Sequence, residues 1–86
     1  MWKLYFKEVA LKQLGKLDKD IQKRIKEKLL YFVSSPNPMF YAKRLTDSKL
    51  WSFRFRIGDY RIIFDIDEAW KIIIIAVIWK RWEIYE

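Results

Sequence analysis

Apolar residues in this chain recur at helical spacing up to Phe32 and on alternate positions from Trp51, and the two regimes are parted by Ser34-Ser35-Pro36-Asn37-Pro38. The two prolines remove backbone donors and push the residues before them into extended geometry, so no helix runs through this block. The spacing on each side then sets the element type: helices first, strands after. Such a chain is expected to fold as an α+β domain with helices packed on a sheet face.

Trp2-Lys3-Leu4-Tyr5-Phe6 alternates loosely and reads as a first strand. Phe6, Ala10, Leu14 and Leu17 then fall at helical spacing, with Gly15 as the stop. Asp18 stands where an N-cap is needed for a second helix, whose buried stripe is Ile21, Ile25, Leu29 and Phe32 and whose remaining surface carries Lys19, Lys23, Lys26 and Lys28. The prolines end it, and Met39-Phe40-Tyr41 reads as a loop leading to Lys43-Arg44.

The second half is a meander. Trp51, Phe53, Phe55 and Ile57 point one way and Ser52, Arg54 and Arg56 the other. Gly58-Asp59 has glycine at the first central position, as a type II′ hairpin requires, and Tyr60 to Ile66 alternates again. After the turn at Asp67-Glu68-Ala69, the run Lys71 to Ile78 is apolar on both faces. Such a strand is an aggregation hazard at an open edge, so it is expected to be central or covered by a partner.

With 86 residues the chain has room for one core, and a single domain spanning 1–86 is expected. Five Trp, five Tyr and six Phe supply the burial a short chain needs. Cysteine and histidine are both absent, which excludes disulfides, thiolate zinc sites and imidazole bases. No metal or other cofactor is expected. The N-terminus lacks the apolar core of a signal peptide and the longest apolar run, Ile72–Trp79, is too short to span a bilayer, so the expected location is cytoplasmic. A net charge of +7 favours polyanionic partners: nucleic acid, an acidic protein or a membrane surface.

Two clusters carry possible chemistry. If Gly58 and Asp59 are the turn, Arg56 lies directly opposite Arg61, on the face that also bears Arg54. Opposed cations are unfavourable, by a few tenths to about one kcal/mol. Either a phosphate normally sits between them, held bidentately by guanidinium groups, or the face is simply solvated with Asp65 as a counter-charge. The second cluster, Trp79-Lys80-Arg81-Trp82-Glu83-Ile84-Tyr85, interleaves cations with aromatics as nucleic-acid binders do, although its apolar members also suit core packing. Lys43-Arg44 and the lysines of the second helix have weaker claims, and Asp67-Glu68 is read as a turn rather than a metal site.

Taken together, Lys43-Arg44-Leu45, the run Trp51 to Phe64 with its Gly-Asp-Tyr-Arg turn, the isoleucine-rich strand and Lys80-Arg81-Trp82-Glu83-Ile84-Tyr85 resemble the RelE/ParE superfamily of type II toxin–antitoxin toxins. The resemblance implies a RelE-like fold: a twisted antiparallel sheet, made of the N-terminal strand and the C-terminal three-stranded meander, with an N-terminal helical hairpin packed on it. It implies a toxin acting as a metal-independent, ribosome-dependent messenger RNA endonuclease. The same scaffold also serves ParE-like gyrase inhibitors and inactive members that only bind.

The partners implied are a RelB-like, acidic antitoxin in a hetero-oligomer, messenger RNA and the ribosome, with no membrane. Carried over by residue, Arg61 stabilises the phosphate, Arg81 clamps it or protonates the leaving group, and Tyr85 orients the 2′-hydroxyl or stacks on a base. Lys80 is the candidate base, because arginine holds its proton too firmly for that role. Arg54, Arg56, Lys43, Arg44 and Trp82 are the expected RNA contacts.

Overall fold

The computed structural model describes residues 1–44 and 53–80. Strand β1 (Lys3–Phe6) leads into helices α1 (Glu8–Gly15) and α2 (Lys19–Ser34). A 3₁₀ turn (Pro38–Tyr41) opens onto β2 (Ala42–Arg44), and β3 (Phe53–Ile57), β4 (Tyr60–Asp67) and β5 (Ile72–Lys80) complete one sheet in the order β1-β5-β4-β3-β2. The α+β class, the helical pair and the meander agree with the sequence.

Two details of the sheet differ from expectation. The sheet is mixed, because β1 runs parallel to β5, with Leu4 beside Ile73 and Phe6 beside Ile75. Alternation marks a segment as a strand but carries no sign for its direction. The extra strand β2 pairs Ala42, Lys43 and Arg44 with Phe55, Arg54 and Phe53, in a stretch to which the sequence assigned no element. Three residues are too few to display a period.

Helix α2 buries Ile25, Leu29 and Phe32 of the stripe its spacing called for, with Ile21 partly buried and Val33 buried in addition, while α1 buries Ala10 and Leu14. Asp18 is the N-cap residue of α2, but its side chain makes no capping bond. Gln22 instead reaches back to the Leu17 carbonyl at 2.8 Å, closing the hairpin between the helices. The core is built on aromatic contact: Tyr41 stacks on Phe32 at 4.8 Å, Phe32 meets Phe55 at 4.6 Å, and Phe55 stacks on Phe64 at 4.2 Å between ring centroids.

Strand β5 is interior to the sheet, with β4 on one side and β1 on the other. Beyond the end of β1 its outer edge is met by α1: the Gln13 side-chain oxygen accepts a hydrogen bond from the Ile78 amide at 2.8 Å. That bond satisfies an edge donor that would otherwise invite another strand.

The register between β4 and β5 breaks at one point: Ile63 faces Val77 whereas Phe64 faces Ile75. Ala76 is therefore an extra residue on β5, a β-bulge. Its effect is to reverse the alternation. Ile73 and Ile75 face the helices before it, and Ile78 does so after it, while Ile63, Ala76 and Val77 form a second buried cluster on the opposite face with Trp79 packed against it. An apolar strand of this kind serves both faces of the sheet.

Candidate nucleic-acid interface

The site begins at the β3–β4 turn. Gly58 has φ of +57°, and Asp59 is not among the residues with positive φ, as expected for a hairpin with glycine at its first central position. Ile57 pairs with Tyr60, and Arg56 with Arg61. Directly opposed residues share a face, so Arg56 and Arg61 project together from the side of the sheet away from the helices. Trp79 of β5 stands across from Arg61 on the same row. The adjacent row places Lys43, Arg54, Ile63 and Val77 side by side.

Lys43, Arg54, Arg56 and Arg61 thus line one face of three adjacent strands. Their rows end on Val77 and Trp79 of the outer apolar cluster. Phosphate groups suit the arginines, and an aromatic ring beside them suits a base. Arg44 pairs with Phe53 and so lies on the other face, at the β2 edge.

Asp65 forms no ion pair with Lys43, Arg54 or Arg56. Its carboxylate accepts from the Ile66 amide at 2.9 Å, and Asp67 accepts from the Trp70 amide at 3.1 Å within the following turn. The single ion pair among the described residues joins Glu8 and Lys12 on the exposed side of α1. Arg54, Arg56, Lys43 and Arg44 pair with no carboxylate of the described residues.

Lys80 stands apart from Arg61. It pairs with Tyr60, and its ammonium lies 6.0 Å from the centre of the Tyr60 ring, on the helix-covered face. Strict alternation from Ile75 would put Lys80 on the arginine face, and the bulge at Ala76 puts Trp79 there instead. Arg81, Trp82 and Tyr85 lie outside the described residues, as do Trp51 and Ser52.

One cation near the hairpin was invisible in sequence. The Arg24 guanidinium from α2 lies against the turn, its Nη1 3.5 Å from where a Cβ on Gly58 would stand. Nothing in the spacing of α2 distinguishes Arg24 from the other solvent-facing cations of that helix. At the rim of the helix-covered face, the Tyr41 hydroxyl donates to that of Tyr31 at 3.5 Å, and this bond is the main reason Tyr41 is raised above the ordinary tyrosine value. Tyr41 therefore stays protonated at neutral pH.

The fold is that of RelE: the chain is similar to a chain in the structure of the toxin–antitoxin complex RelBE2 of Mycobacterium tuberculosis, with a TM-score of 0.82 and 25% identity, covering 93% of this chain and 91% of the other. It is similar also to the archaeal RelE–RelB complex of Pyrococcus horikoshii (TM-score 0.74, 24% identity, 93% and 94% covered) and to the intact RelBE complex of E. coli (0.73, 21%, 93% and 96%). Among curated proteins no sequence matches. The family model of the ParE toxin of the type II toxin–antitoxin system parDE matches residues 4–85, and the chain belongs to this family. It is a type II toxin of the RelE/ParE superfamily.

Proposed function

We propose that this toxin arrests growth as a metal-independent endonuclease acting on messenger RNA in the ribosome. The observation that carries the reading is the cross-strand pair Arg56–Arg61, flanked by Lys43 and Arg54 and bordered by Trp79, on the face of the sheet away from the helices. Opposed arginines cost stability unless an anion sits between them, and RNA supplies phosphate and base together.

In such a reaction the ribose 2′-oxygen attacks the adjacent phosphorus, a P–O2′ bond forms, and the P–O5′ bond breaks. The 2′-hydroxyl proton passes to a base and the 5′-oxygen takes a proton from an acid. Arg61 and Arg56 meet the charge that builds on the phosphoryl oxygens, which is the largest contribution a rigid site can make. Arg81 and Tyr85 take the roles the resemblance assigns them, as clamp or acid and as orienting aromatic; Trp82, Lys43, Arg44 and Arg54 contact the strand. Lys80 serves as base only for a hydroxyl presented at the end of the sheet, because it stands on the face of the sheet opposite Arg61.

The toxin works in the cytoplasm, and an acidic antitoxin of the RelB kind covers the basic face until released. The solved complexes of RelE with RelB support this partnership. A second reading, inhibition of DNA gyrase without chemistry, draws on the ParE description of the family model and on the absence of a base beside Arg61 among the described residues. Primer extension on messenger RNA after brief induction separates the two. Cleavage at codon boundaries of translated messages is expected; intact messages with induced DNA damage would favour the gyrase reading.

A further inference from the structure

Resting on the reading of the hairpin as an RNA site, we propose that the site continues round the tip of the β3–β4 turn onto the helix-covered side, where Arg24 holds a second phosphate of the same single strand. Ile25 is fully buried, so the packing of α2 fixes the direction in which its neighbour Arg24 leaves the helix. That direction is the turn: Nη1 approaches to 3.5 Å from the missing Cβ of Gly58. Asp20 lies four residues before Arg24 and Glu27 three after, both at distances where helical ion pairs form. Neither pairs with it, and nor does Asp59 beside Gly58. The guanidinium is thus held on the turn with its charge uncompensated by the described residues.

The surroundings suit a nucleic-acid strand. Lys80 stands over Tyr60 on this same side, so the three residues Gly58-Asp59-Tyr60 have Arg24 and Lys80 on one side and Arg56 and Arg61 on the other. A flexible single strand can bend across a turn of this size and keep a phosphate on each side. A rigid duplex cannot.

The test is fluorescence anisotropy of the folded toxin with a labelled oligouridylate of about twelve nucleotides, titrated over a range of salt, beside competition by the dinucleotide UpU. Arg24→Gln keeps the side-chain stem and its hydrogen bonding but removes the charge. It is expected to weaken oligouridylate binding about fivefold and to reduce the magnitude of the salt slope by about 0.7. UpU, with a single phosphodiester, is expected to compete equally against wild type and variant. Arg24→Lys is expected to restore the slope. An unchanged slope with a lowered melting temperature would overturn the proposal, since Arg24 would then only brace the turn. If Arg56→Ala and Arg61→Ala also leave binding unchanged, the RNA reading of the hairpin fails; if they weaken it and Arg24→Gln does not, the extension alone fails.

Discussion

The two faces of the sheet obey the same alternation and differ in what opposes each residue. On the helix-covered face the cross-strand neighbours are apolar or aromatic except at the ends of the strands, where Arg44 and Lys80 stand beside Phe53 and Tyr60, and Phe55 touches both Phe32 and Phe64. On the other face, rows that begin as cation beside cation end on Val77 and Trp79. The first arrangement lowers the free energy of the fold. The second raises it locally, and the proposed function supplies a polyanion for the opposed arginines to meet. The difference teaches which residues belong to folding and which to function, and substitutions on each face should separate accordingly.

The largest effect is expected on the covered face. Phe55→Ala should cost about 3–5 kcal/mol of stability in urea unfolding, because its ring is fully buried between two others. Deleting Ala76 would remove the bulge and exchange the faces of Ile78 and Trp79. Exposing the Ile78 side chain alone should cost about 1.5–3 kcal/mol, and tryptophan fluorescence should shift as Trp79 turns toward the core. On the outer face the sign should reverse. Arg56→Thr should raise stability by a few tenths to about one kcal/mol by removing a like-charge pair, while weakening growth arrest in an induced culture.

The smallest effect concerns the rim. Tyr41 is raised above 10.0 mainly by its bond to Tyr31, so the folded state favours the protonated form. That contribution is fully present below pH 10.0 and is lost as pH rises through the higher folded value. Tyr41→Phe should therefore flatten the alkaline end of a stability profile measured by denaturant unfolding.

The pairing of Arg56 with Arg61 was legible in sequence because Gly58-Asp59 pins the turn, and a pinned turn determines every pair along the hairpin. The stripe Ile25, Leu29, Phe32 was legible because helical spacing repeats over four turns. Three features were not. The bulge at Ala76 lies in a run where every residue is apolar, so a change of phase leaves no trace in the pattern. The pairing of Ala42-Lys43-Arg44 is too short for a period, and the parallel sense of β1 follows from the helical crossover rather than from its own residues. Arg24 was missed for a different reason: which solvent-facing cation of a helix meets a turn is decided by how the helix packs. The bulge also explains why Lys80, adjacent in sequence to Arg81, stands on the face opposite Arg61.

The central claim is that the opposed arginines serve an anion and not the fold. Its most direct test is paired measurement of growth arrest and melting temperature for Arg56→Gln and Arg61→Gln. The account predicts arrest relieved in both, with melting temperatures no more than about 4 °C below wild type, a shift worth under about 1 kcal/mol in a domain of this size. Full toxicity retained, or a collapse of the melting temperature alongside lost toxicity, would contradict it.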